Sequence, residues 1–206
     1  MMLDIIKLTC VRGDKQLFSE LSFSVAPGTL LFVHGPNGSG KTTLLRTLCG
    51  LTMEEEGEIH WNKESVKSLR EDYLRNVSYF GHLNGLKDEL TGLENMRIST
   101  QLAGVAVSDD EISDVFARLG VEVCQDLPTK VLSQGQKKRT ALARFLLLKT
   151  KLWILDEPFT ALDVKAVDLL QTVIGDHVRN DGMVILTTHQ EVNLEGVKVE
   201  HLHLGG

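Results

Sequence analysis

The sequence predicts an α/β fold with a mostly parallel sheet, interrupted by an inserted helical subdomain. Three observations carry this expectation. Short apolar runs alternate with stretches of helical spacing in the first and last parts of the chain, the pattern of strands joined by crossover helices. A glycine-rich segment runs from one apolar run straight into a helical stretch. Between these parts, residues from about Asp88 to Lys149 keep helical spacing with few strand candidates.

The elements follow in order. Leu3–Thr9 and Leu21–Val25 read as strands, with Pro27-Gly28 as the turn out of the second. Thr29–His34 is a third strand and Lys41–Leu51 a helix, followed by short strands at Gly57–Trp61 and Val77–Phe80. In the inserted region Leu90, Leu93, Met96 and Ile98 recur at helical intervals, as do Ile112, Val115, Phe116 and Leu119. Leu152–Leu155, Met183–Thr187 and Val197–Leu204 return to strand character, with a helix over Val164–Arg179. The expected organisation is one domain over 1–206. Segments 1–87 and 150–206 build its core, and 88–149 forms the helical subdomain.

Composition bounds the function. The 206 residues contain 42% hydrophobic and 24% charged residues, values of a globular protein. A net charge of −6 gives no basic footprint, so no nucleic-acid partner is expected. Cys10, Cys49 and Cys124 form no C-x-x-C pair and are expected to be reduced, buried or half-buried thiols. No stretch approaches the roughly 18–20 apolar residues of a membrane span, and Met-Met-Leu-Asp-Ile-Ile lacks a basic leader region. Any membrane role is therefore expected to be peripheral, through a partner.

The chemistry begins at Gly35-Pro36-Asn37-Gly38-Ser39-Gly40-Lys41-Thr42, which fits G-x-x-x-x-G-K-[ST] between a strand and a helix that continues through Thr43. Glycines let backbone N–H groups curl around phosphate oxygens, and the helix N-terminus adds favourable partial charge. Lys41 suits the β- and γ-phosphates of ATP, and the Thr42 hydroxyl suits Mg²⁺. A second signal is Leu152-Trp153-Ile154-Leu155-Asp156-Glu157, an apolar strand ending in two carboxylates. Carboxyl ends of parallel strands open into the ligand crevice. Asp156 is expected to hold Mg²⁺ and Glu157 to polarise the attacking water as general base. Phosphoryl transfer is the reaction class.

With these motifs in place, the chain resembles the ATP-binding-cassette (ABC) ATPases. Leu132-Ser133-Gln134-Gly135-Gln136 is similar to their signature L-S-G-G-Q, with Gln134 departing at the third place, and leads into a helix over Gln136–Lys149. Ala161-Leu162-Asp163 resembles the D-loop, and His189 the switch histidine. The resemblance implies a P-loop NTPase core with an N-terminal antiparallel β part. It also implies that Ser133, Gly135, Gln136 and Asp163 act on nucleotide held by a second copy, in a head-to-tail dimer. Leu8-Thr9-Cys10, Tyr79-Phe80-Gly81-His82, Trp153–Asp163 and Gly182–Gln190 further resemble the haem-exporter ATPases of cytochrome c maturation. That implies integral membrane partner subunits at the inner face of a bacterial plasma membrane. It also implies ATP hydrolysis that drives haem export or release of a haem-loaded chaperone.

Two positions depart from the general family pattern. His82 stands where most members carry a glutamine that senses Mg²⁺ and water, and Arg12 stands near the adenine-stacking aromatic, with Phe18 as a second candidate. Other residues carry structural expectations. His201 and His203 are expected to lie on a surface strand without a third metal ligand. Glu54-Glu55-Glu56 is expected to be a solvated turn, and Trp61 and Trp153 to be strand packing. Two other functions fit less well. A soluble ABC protein of DNA repair or the ribosome would carry a coiled-coil insertion or two cassettes. A regulatory module that scarcely hydrolyses ATP would not need Glu157 and His189.

Overall fold

The computed structural model describes residues 1–206 except His82, Glu191, Asn193 and Gly206. Two sheets form. Strands β1 (Leu3–Arg12), β2 (Lys15–Val25), β4 (Glu56–Trp61) and β5 (Glu64–Ser65) make an antiparallel sheet in the order β2-β1-β4-β5. Strands β3 (Thr29–His34), β6 (Val77–Phe80), β7 (Leu152–Asp156), β8 (Met183–Thr187) and β9 (Lys198–His203) make a parallel sheet in the order β6-β7-β8-β3-β9.

Period-two alternation assigns the strand side chains to two cores. Leu30 and Phe32 of β3 join Trp153 and Leu155 of β7 on one face, packed against helices α6 (Gln134–Leu148) and α7 (Val164–Arg179). Leu31, Val33, Leu152 and Ile154 face the other way, onto helix α1 (Lys41–Leu48) and the antiparallel sheet through Leu8, Ile59 and Trp61. The α/β expectation holds, with the antiparallel part in place.

The inserted segment carries α4 (Gly92–Leu102), α5 (Asp109–Arg118), two 3-10 turns and then α6. Phe116, Met96 and Ile112 are fully buried among these helices. Thr91 and Ser108 each open a helix with a reciprocal capping box to Glu94 and Glu111, which satisfies N–H groups at its first turn.

Several local expectations need correction. β1 and β2 run on to meet at a two-residue turn, because Gly13 at φ 60° supplies the left-handed residue a tight hairpin needs. The helix expected to reach Leu51 stops at Leu48, capped through Cys49 and followed by Gly50 at φ 69°. Strand β5 and the one-turn helices α2 (Val66–Leu69) and α3 (Glu71–Leu74) lie outside the expected elements. Glu54 is not a solvated acid: it pairs with Lys67 at 2.7 Å. The three cysteines are free and buried, and burial raises the pKa of each thiol.

Trp153 packs as expected, but against His177, with ring centroids 3.8 Å apart and planes 5° from parallel. Burial pulls the His177 pKa down to about 4. The unfolded chain binds that proton near pH 6.5 and the folded chain does not. Stability present above about pH 6.5 is therefore lost as the pH falls towards 4. His177→Phe keeps the ring and removes the titration. Unfolding midpoints across this window should fall more steeply in the wild type than in the variant; equal slopes would remove His177 from the acid response.

Candidate functional site

The carboxyl ends of β3, β7 and β8 meet the N-terminus of α1 in a cleft of about 530 Å³. Asn37, Gly38 and Gly40 form the floor. Gly40, at φ 101°, caps α1 without a side chain, and a Cβ there would sit 3.0 Å from Leu17 Cβ and 3.1 Å from Phe18 Cδ1. Gly35 lies so close to its surroundings that a Cβ would come 2.6 Å from both Leu204 O and Ser39 Oγ. Only glycine fits at either position. The first amides of α1 consequently face the cleft without a competing cap.

Lys41 folds back over this loop, its Nζ donating to Gly35 O at 2.6 Å and Pro36 O at 3.2 Å. Thr42 Oγ1 donates to Asp156 Oδ2 at 2.8 Å, and Thr187 Oγ1 donates to Asp156 Oδ1 at 2.7 Å. Asp156 is only 3% exposed, so both hydroxyls compensate the burial of its charge. A threonine hydroxyl beside a carboxylate is a hard oxygen donor pair, the chemistry that suits Mg²⁺.

Glu157 follows in the left-handed conformation at φ 51°, its N–H held by Thr187 Oγ1 at 3.0 Å. Its Oε1 is buried without a hydrogen bond, and His189 Nε2 lies 3.5 Å away. Lys138 Nζ donates to the Glu157 carbonyl at 3.2 Å, and burial lowers the lysine pKa.

Of the residues singled out from sequence, Asn37, Gly38, Gly40, Lys41, Thr42, Thr43, Arg12, Asp156, Glu157 and His189 line this one cleft. Gly35, Pro36 and Ser39 shape the loop behind it. The signature is placed differently. Ser133 Oγ accepts from Gln136 N at 3.2 Å, and Gln136 Oε1 accepts from Ser133 N at 2.9 Å, a capping box that opens α6. Of the signature, only Gln134 reaches the cleft. Asp163 caps α7 by accepting from Ala166 N at 2.8 Å. Phe18 packs behind Gly40 and Leu17 forms the wall beside Arg12, so Leu17 is a lining residue the sequence did not mark. His82 lies outside the described residues.

Lys138, Thr160 and Thr187 were also missed. Lys138 sits in the run Lys137-Lys138-Arg139, and nothing local distinguishes the one cation that turns towards Glu157. His201 and His203 lie exposed on strand β9, as expected. His34 on the neighbouring strand stacks between them, its Nε2 2.8 Å from His201 Nδ1. Among the described residues, however, no group of three or more His, Cys, Asp or Glu side chains is placed to hold a metal.

Kinship agrees with this geometry. The ABC transporter family pattern matches residues 18–160. The chain is 53% identical over 203 residues to the cytochrome c biogenesis ATP-binding export protein CcmA of Nitrosomonas europaea, covering 98% of this chain and 95% of that one. It is 50% identical to the protein of the same name from Nitrosospira multiformis, with 98% of each chain covered. A putative ABC transporter ATP-binding protein of Pyrococcus furiosus superposes with a TM-score of 0.85 at 25% identity, over 99% of this chain and 98% of that one. The chain belongs to the ABC transporter family, as one of its ATP-binding subunits.

Proposed function

We propose that the chain is the ATP-hydrolysing subunit of a membrane export complex for cytochrome c biogenesis, docked at the inner face of a bacterial plasma membrane. One observation carries the hydrolytic reading. The 2.8 Å bond from Thr42 to Asp156 joins the phosphate loop to the acidic strand end, so one cleft presents phosphate donors, metal ligands and a base together. The CcmA name of the full-length relatives supports the biological setting.

The geometry supports the following roles. The triphosphate of ATP lies along residues 35–43, and Lys41 exchanges its bonds to the Gly35 and Pro36 carbonyls for bonds to phosphate oxygens. Thr42 and Asp156 would hold Mg²⁺, which would supply neutralising charge at the phosphates. Glu157 takes a proton from the attacking water, and His189 steadies the charge opposite it. Arg12, beside Leu17, holds the adenine face.

The helical segment 88–149 is a subdomain that carries the signature at the start of α6. Ser133, Gly135 and Gln136 lie off the cleft of their own chain, which favours a site completed by a second copy. In that head-to-tail pair these residues and Asp163 approach the nucleotide of the partner. Among the described residues no helix is long and apolar enough to cross a membrane. Coupling therefore runs through contact with integral membrane subunits, and hydrolysis drives haem export or release of a haem-loaded chaperone.

Affinity purification of the tagged chain from detergent-solubilised membranes tests the assignment. Membrane subunits of cytochrome c maturation should co-elute with ATPase activity. Co-elution with the permease of another transporter would reassign the complex.

A further inference from the structure

We propose that Lys138 is a positioning residue for Glu157, holding the main chain of the general base in the conformation that aims its carboxylate into the cleft. The proposal rests on the general-base reading of Glu157. At φ 51° Glu157 occupies a region that residues with side chains adopt rarely, so its neighbours must hold it there. Its N–H is held by Thr187, through Oγ1 at 3.0 Å and O at 3.2 Å. Its carbonyl accepts from Lys138 Nζ at 3.2 Å and, more distantly, from the N–H of Thr160 at 3.4 Å.

The lysine reaches this carbonyl from a different part of the fold. It lies near the start of α6, where two cationic neighbours find local partners. Lys137 pairs with Asp88 at 3.0 Å, and Arg139 donates to the Leu119 and Gly120 carbonyls at 3.3 and 3.0 Å. Lys138 instead turns inward, with Nζ 5.8 Å from the centre of the Phe80 ring. Burial of the ammonium lowers its pKa and strengthens whatever bond it keeps. The helix that Ser133 caps is thereby tied to the Glu157 backbone by one hydrogen bond. A shift of the signature segment reaches the base directly.

The test is steady-state ATPase kinetics of Lys138→Met, Lys138→Arg, Glu157→Gln and the Lys138→Met/Glu157→Gln double variant. Lys138→Met should lower kcat by about tenfold to a hundredfold, the span carried by a charge-assisted hydrogen bond, with KM for ATP unchanged. Lys138→Arg restores a long cationic donor and should recover most of kcat. The double variant should be no slower than Glu157→Gln alone, because Lys138 acts through that residue. Wild-type kcat in Lys138→Met would overturn the proposal. So would a loss carried by KM alone, failure of Lys138→Arg to recover kcat, or additive losses in the double variant. Wild-type turnover in Glu157→Gln overturns the general-base reading itself, whatever Lys138 does.

Discussion

Glu157→Gln is expected to retain ATP binding while slowing hydrolysis by about 10²–10⁴-fold, the usual contribution of a positioned acid–base group. The amide keeps the size and most of the polarity of the carboxylate. The backbone N–H at this position still donates to Thr187 in the variant, so the strand end keeps its shape. What disappears is the ability to accept a proton from water. Slow hydrolysis should also leave nucleotide trapped between two copies, visible as an ATP-dependent dimer in size-exclusion chromatography. Turnover near the wild-type rate would remove Glu157 from the chemistry.

Lys41→Ala should abolish turnover and weaken nucleotide binding without unfolding the chain. The ammonium satisfies two loop carbonyls, Gly35 O and Pro36 O, which are accessible enough for water to replace it. The stability cost is therefore small. The functional cost is large, because the other cations lining the cleft among the described residues are committed elsewhere: Lys138 is engaged with Glu157, and Arg12 is assigned to the adenine. Isothermal titration with ATP alongside a phosphate-release assay reads both effects. Unchanged affinity and rate would mean the glycine loop is not the nucleotide site.

Where local signals were strong, the sequence foretold the structure closely. Thr29–His34, Val77–Phe80, Met183–Thr187 and Val164–Arg179 fall on their predicted bounds because each is a run of clear strand or helical character that opens directly after a breaking residue, Gly28, Asn76, Gly182 and Asp163 respectively. The antiparallel hairpin was only partly legible. Its outer residues, such as Lys15 and Gln16, are polar and exposed, and they are strand because they pair with β1. Pairing across the chain overrides local preference there.

The same division holds in the cleft. Lys41, Thr42, Asp156 and Glu157 were readable because phosphate chemistry fixes their types and spacing. Lys138 and Thr187 were not, since their roles come from a helix and a strand brought alongside Glu157 by the fold. Ser133 and Gln136 show the two levels together. Their spacing is that of a helix cap, and the cap is what the fold makes of them within one chain.

The role of ATP hydrolysis in this cleft in cytochrome c biogenesis is tested most directly in cells. The chromosomal copy is replaced by wild type or by Glu157→Gln at equal protein level, and covalently haem-loaded c-type cytochromes are measured by peroxidase staining of membrane fractions. Wild type should yield mature cytochromes and Glu157→Gln essentially none. Full cytochrome maturation with Glu157→Gln would contradict that role.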